Sequence, residues 1–97
     1  MATRNVHVVH NVDANRFEAN IDGFTGLAAY HLTPGRILFT HTEVPYQFRG
    51  QGIAGQIVRA GLEYAREQGL SVVPICSYVA EYIRRHPEYQ SLITAQG

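Results

Sequence analysis

Thr42-Glu43-Val44-Pro45-Tyr46-Gln47-Phe48-Arg49-Gly50-Gln51-Gly52-Ile53-Ala54-Gly55 decides the fold, because a strand-like run passes there through three glycines into a helical pattern. A helix start exposes unpaired backbone N–H groups and a partial positive charge, and glycines let an anion reach them without side chains in the way. This start has no competing cap. No Ser, Thr, Asp or Asn stands at Gly50, Gln51 or Gly52, and no carboxylate occupies the first turn. With Arg49 beside it, the turn reads as a cradle for a phosphate-bearing ligand. It ends in neither Gly-Lys-Ser/Thr nor G-x-G-x-x-G, so the mononucleotide and dinucleotide fingerprints do not apply. A turn that only packs helix against sheet fits the glycines equally well.

Downstream, Ala54, Ile57, Val58, Gly61, Leu62 and Ala65 recur on one helical face, with Gln56, Arg59, Glu63, Arg66 and Glu67 on the other. Gly61 costs about 1 kcal/mol of helix propensity relative to alanine, which suits a close approach of the helix to a sheet. Gly69 is placed for a left-handed cap. Leu70 to Cys76 is short and mostly apolar, as a strand buried on both faces should be. Strand, helix and strand together predict a parallel pair. Pro74 has no N–H for the ladder, so pairing fails at or near it and the two strands diverge into a slot. Ligands of open α/β sheets bind beyond the carboxyl ends of the strands, where Glu43, Val44, Cys76 and the glycine turn converge. A helix from about Tyr78 to His86 follows and Pro87 stops it. Ser91 to Gly97 reads as a short final turn and a frayed end.

Upstream, Val6–His10 and Arg16–Ile21 are strand candidates around the polar turn from Asn11 to Asn15, and Asp22-Gly23 signals a hairpin. Phe24–Leu32 leads through Thr33-Pro34-Gly35 into Arg36–Val44. The expectation is an α+β fold with a mixed sheet. It has an antiparallel meander of about four strands, then a helix, a splayed parallel fifth strand and a C-terminal helix.

The chain of 97 residues is one domain, residues 1–97. Its hydrophobic fraction of 45% and aromatic fraction of 10% indicate a folded globule. Eight basic residues balance eight acidic ones, which argues against nucleic acid or an anionic membrane as partner. No run approaches transmembrane length, and Met1-Ala2-Thr3-Arg4-Asn5 leads into a strand-like stretch rather than a signal peptide, so a cytoplasmic protein is expected. The single cysteine, Cys76, excludes an internal disulfide. His7, His10, His31, His41 and His86 show no ligand pair at helical i, i+4 spacing, and no metal site is expected.

The chain resembles the GNAT superfamily of acetyl-CoA-dependent N-acetyltransferases, in its small stand-alone YjdJ-type branch. Arg49-Gly50-Gln51-Gly52-Ile53-Ala54 is similar to the superfamily's R/Q-x-x-G-x-G/A pyrophosphate motif. His41-Thr42-Glu43-Val44-Pro45, Val73-Pro74-Ile75-Cys76-Ser77-Tyr78-Val79 and Tyr82-Ile83-Arg84-Arg85-His86-Pro87-Glu88-Tyr89 resemble the branch in register. The resemblance implies acetyl-CoA as co-substrate, its pyrophosphate on the backbone amides from Gln51 to Gly55 and its pantetheine arm along the fourth strand near Val44. Arg49, Gly50, Gln51, Gly52, Ile53, Ala54 and Gly55, with Val44, Cys76 and Tyr78, are the cofactor-binding candidates.

For catalysis the resemblance implies a carboxylate that deprotonates the acceptor amine through water, and Glu43 ends the fourth strand at that point. A solvated residue at a strand end is the alternative. Cys76 just precedes the last helix, whose N-terminus would depress its thiol pKa, making it a candidate transient acetyl acceptor or else an inert small hydrophobe. Superfamily members often place a tyrosine after the fifth strand to protonate the leaving thiolate; here Tyr82 or Tyr78 serves, or both are core. Arg84, Arg85 and His86 suit a helix C-terminus better than an adenosine phosphate. Larger members wall the acceptor site with helices after the first strand. Here only Asn11–Asn15 is available, which implies an open site suited to an amine on a peptide or larger partner. A non-catalytic acyl-CoA-binding module and an interaction domain that pairs through a sheet edge, as in a homodimer, remain alternatives.

Overall fold

In the computed structural model, which describes residues 3–93, the turn signals divide the first half into β1 (Val8–Asn11), β2 (Arg16–Ile21), β3 (Phe24–Thr33) and β4 (Arg36–Glu43). A 3-10 turn at Tyr46–Phe48 leads to α1 (Ile53–Gln68), then β5 (Ser71–Pro74), α2 (Ser77–Arg85) and a second 3-10 turn at Pro87–Leu92. The sheet order is β1-β2-β3-β4-β5, antiparallel through β4 and parallel between β4 and β5. This is the α+β mixed sheet anticipated above. Asp22 and Gly23 both take positive φ, 52° and 86°, and the Gly23 N–H donates to Asn20 Oδ1 at 3.2 Å. Those are the backbone angles a tight primed hairpin turn demands.

The first strand departs from expectation. It begins at Val8 rather than Val6, because the preceding backbone pairs with the start of α1 instead of β2. The Arg4 N–H donates to the Gln51 carbonyl at 3.0 Å and the Val6 N–H to Gln56 Oε1 at 3.0 Å.

Buried strand residues fall on one sheet face: Phe17, Ala19, Ile21, Ala28, Tyr30, Ile37, Phe39 and Val72. The apolar stripe of α1, Ile53, Ile57, Val58, Gly61, Leu62 and Ala65, packs onto that face. A methyl group at Gly61 would stand 2.8 Å from Phe39 Cε1 and Cζ, so the close approach is real. The Gly69 cap is left-handed, φ 68°, with its N–H on the Ala65 and Arg66 carbonyls. Helix α2 lies alongside α1, with the Tyr78 and Tyr82 rings against Gly55. The opposite sheet face carries neither helix. Leu27, Ala29, Leu38 and Val73 on it are half-buried. Accordingly β5 is not buried on both faces as expected; only Val72 is fully buried.

The β3–β4 register contains a bulge: Ala29 opposes His41 and Tyr30 opposes Phe39, leaving Thr40 without a partner. The extra residue reverses the strand's alternation. Ile37 and Phe39 face the helices before it, Thr42 and Val44 after it, and His41 and Glu43 turn to the open face.

At the C-terminal end, α2 runs Ser77–Arg85, one residue earlier than expected at each end, and the second 3-10 turn begins at Pro87. Ile93 then bridges Val72 in parallel on the outer edge of β5, where the sequence reading had only a final turn. Met1, Ala2 and residues 94–97, including most of the expected frayed end, lie outside the described residues.

Candidate functional site

Pairing between β4 and β5 stops at Phe39 opposite Pro74. One more bond follows, from the Cys76 N–H to the Phe39 carbonyl at 2.9 Å, while the Ile75 N–H folds back onto Val73 O at 3.1 Å. Pro74 supplies no donor, and β5 turns away into α2. His41, Thr42 and Glu43 therefore keep β3 on one side and, among the described residues, have no strand on the other. A cleft of about 720 Å³ opens there, inside the roughly 300–1,000 Å³ range of small-ligand sites.

Two walls form it. His41, Thr42, Glu43, Val44 and Pro45 make the strand wall; Arg49, Gly50, Gly52, Ile53 and Ala54 make the turn and helix wall, and Tyr46, Phe48 and Tyr78 complete the lining. Gly50 and Gly52 have φ of 83° and 75°, a left-handed geometry that glycine adopts without strain. Gly52 caps α1 without any side-chain bond, and the first turn holds no acid. Among the described residues, no group accepts a hydrogen bond from the amides of Gln51, Gly52, Ile53, Ala54 or Gly55. Arg49 leans along the cleft wall, its Nε on the Val44 carbonyl at 3.3 Å and its guanidinium carbon 5.8 Å from the Tyr46 ring centroid.

Of the anticipated cofactor-binding residues, Val44, Arg49, Gly50, Gly52, Ile53, Ala54 and Tyr78 line the cleft, as does the anticipated catalytic Glu43. Gln51, Gly55, Cys76 and Tyr82 do not. Gln51 turns its carbonyl to Arg4, and Gly55 lies under the Tyr78 and Tyr82 rings. The Tyr82 ring stacks on His86 with centroids 3.9 Å apart, which holds it in the helix–helix contact. Burial raises the phenol pKa of both Tyr82 and Tyr78.

Cys76 is the N-cap of α2 and sits behind Thr42, its Sγ donating to Thr42 Oγ1 at 3.5 Å. Burial pushes the thiol up, yet its hydrogen bonds with the Thr42 hydroxyl and with the Val79, Tyr78 and Thr42 backbone outweigh it, leaving the thiol below its ordinary value. Glu43 Oε1 lies 3.1 Å from His41 Nε2, and both side chains are exposed on the open face. Arg84 and Arg85 pair with Glu81 at 2.5 and 2.8 Å on the outer side of α2, away from the cleft.

Sequence reasoning missed His41, Thr42, Pro45, Tyr46 and Phe48 as lining residues. His41, Thr42 and Pro45 stood in a quoted motif, but their facing depends on the bulge at Thr40, which no residue type announces.

A family model described as GCN5-related N-acetyl-transferase matches residues 16–92. The chain belongs to that family. Among curated relatives of this GCN5-related chain is Protein NATD1 of Mus musculus, 31% identical over 90 residues, covering 90% of this chain and 82% of the relative. The Homo sapiens Protein NATD1 is also 31% identical, with 90% and 80% covered. A GCN5-like protein from Staphylococcus aureus, solved by NMR, superposes with a TM-score of 0.73 at 23% identity, covering 94% of this chain and 90% of that one. That likeness supports the GNAT-type fold. Among the described residues, no helix is long and apolar enough to cross a membrane, and no three His, Cys, Asp or Glu side chains group to hold a metal.

Proposed function

We propose that this GCN5-related protein, of the YjdJ type, transfers the acetyl group of acetyl-CoA to an amine on a peptide or protein. One observation carries the reading: Gly52, Ile53 and Ala54, whose amides have no hydrogen-bond acceptor among the described residues, line the same cleft as the end of β4 that β5 leaves unpaired. The fit is chemical. A pyrophosphate needs several N–H donors and a positive end, which the glycine turn, the start of α1 and Arg49 supply. A pantetheine arm carries amides that pair as a strand would, and the His41–Glu43 edge offers backbone groups that have no strand partner on that side among the described residues.

When bound, acetyl-CoA supplies an activated acyl group. The chain's own residues do the rest. Glu43, with His41 at 3.1 Å, accepts the amine's proton on the open face of the sheet. A carboxylate only accepts hydrogen bonds, so in that pair His41 donates through Nε2. Tyr78, which lines the cleft, is better placed than Tyr82 to return a proton to the departing thiolate; Tyr82 supports Gly55. Direct transfer is favoured over a relay through Cys76, because Thr42 stands between that thiol and the cleft. The uncovered sheet face leaves room for a macromolecular acceptor, and the balanced charge favours neither nucleic acid nor membrane. We place the protein in the cytoplasm.

Calorimetric titration with acetyl-CoA tests the site; the lack of tryptophan makes quenching a poor signal. Binding near one per chain supports it, and acetylation of a lysine-bearing peptide followed by mass supports transfer. Binding without transfer to any peptide points to an acyl-CoA-binding module. No heat from a folded protein, with a concentration-dependent dimer, points to an interaction domain.

A further inference from the structure

The stretch Thr3–Val6 is stitched to the glycine turn by one side chain. Gln56 Nε2 donates to the Arg4 carbonyl at 2.6 Å and to the Gly52 carbonyl at 3.2 Å, and Gln56 Oε1 accepts the Val6 N–H at 3.0 Å. The Arg4 N–H donates to the Gln51 carbonyl at 3.0 Å. Thr3 Cγ2 stands 3.2 Å from where a Cβ on Gly52 would be. The Arg4 guanidinium lies over the Phe48 ring at 5.6 Å and pairs with Asp22 at 3.0 Å. All of this segment precedes the residues matched by the family.

These bonds act on peptide planes. In a trans peptide the carbonyl and the following N–H point in opposite directions. Tying the Gln51 carbonyl to Arg4 turns the Gly52 N–H away from the segment; tying the Gly52 carbonyl to Gln56 sends the Ile53 N–H out of the helix start. The Gly52 carbonyl also accepts the Gln56 backbone N–H at 3.4 Å, and with glycines at positions 50 and 52, both of positive φ, the side-chain bonds add to that restraint on planes that are otherwise free to turn.

We infer that Gln56 and the Arg4–Val6 backbone form a positioning strap that orients the Gly52 and Ile53 amides toward the pyrophosphate of the acyl donor. Gln56 is a positioning residue: its side-chain amide is spent on Arg4, Gly52 and Val6. The inference rests on the proposed acetyl-CoA site, and its test separates the two.

Acetyl-CoA affinity is measured by calorimetry and acetyl-pantetheine affinity by NMR titration, for the wild-type chain, Gln56→Ala and Arg4→Pro. Arg4→Pro deletes the donor to Gln51 at a half-buried position that contributes no fully buried side chain, so it keeps the test open if Gln56→Ala loosens the fold. Each variant is expected to bind acetyl-CoA about tenfold more weakly, which is about 1.4 kcal/mol, with acetyl-pantetheine affinity unchanged. Equal weakening of both ligands would mean general loosening and would overturn the inference. Unchanged acetyl-CoA affinity in both variants overturns it too. A wild-type chain that binds neither ligand removes the site itself, and the strap's role with it.

Discussion

Replacing Gly61 by alanine sets two effects of known sign against each other. The substitution favours the helix by about 1 kcal/mol, since glycine is the poorer helix former by that amount. Against this, the new methyl group would stand 2.8 Å from both Cε1 and Cζ of Phe39 and 3.4 Å from Phe17 Cδ1. Contacts at 2.8 Å require movement, and Phe39 is 0% exposed, held under α1 with no free end to swing aside. Overpacking of a tight core costs about 1–3 kcal/mol, and two ring atoms in conflict place this site toward the upper end. The net expectation is a loss of about 1–2 kcal/mol, which for a domain of this size lowers the melting temperature by roughly 5–15 °C. The assay is thermal unfolding by circular dichroism at neutral pH, with denaturant unfolding as a second measure. Phe39 is also the last β4 residue paired with β5, so acetyl-CoA affinity should weaken alongside stability. A Gly61→Ala chain that melts at or above the wild-type temperature would refute the close-packing argument, because only the propensity gain would then survive.

Glu43→Gln should lower peptide acetylation by about 10²–10⁴-fold, the usual contribution of a general base, while the calorimetric affinity for acetyl-CoA stays the same; equal turnover removes Glu43 from the proton route. Thr42→Val deletes the strongest side-chain bond that lowers the Cys76 thiol, so the pH profile of its alkylation by iodoacetamide should move to higher pH. An unmoved profile would assign the lowering to the backbone of Thr42 and of the start of α2. For Tyr89, burial comes first, then its 2.6 Å bond to Glu63 and that residue's charge, and together they push the phenol up from 10.0 to about 12. The folded state holds the proton more tightly, so this contribution is complete below pH 10 and is lost as pH rises toward about 12. Tyr89→Phe should cost about 1 kcal/mol at neutral pH and flatten the alkaline fall in melting temperature; an equally steep fall would point to Tyr30, Tyr78 and Tyr82 instead.

The features legible in the sequence were those written in local chemistry. Asp22-Gly23 fixed a hairpin by its φ requirement, Gly61 and Gly69 marked a close approach and a cap, and Pro74 marked where two strands part. The glycine turn with Arg49 was readable because the absence of a cap is itself a signal. What stayed hidden was set by distant partners. Gln56 gave no sign that it would bind the backbone of Arg4 and Val6 ahead of the first strand, since their separation along the chain is about half its length. The bridge of Ile93 to Val72 was hidden too, because it depends on α2 folding the chain back onto the edge of β5. The cleft-lining role of His41 and Thr42 depended on which way β4 alternates, and alternation is a property of the pair, not of the residue.

The bulge at Thr40 makes that last point physical. A strand is a two-stroke device in which every odd step points one way, and one surplus residue advances the count by half a cycle. Were Thr40 instead to take Ala29 as its partner in an uninterrupted ladder, His41 and Glu43 would rotate under α1 and Thr42 and Val44 would be delivered to solvent. The sheet would survive in outline with its chemistry inside out. One unpaired threonine thus serves as the parity bit of the molecule, deciding on which side of the sheet an amine can lose its proton.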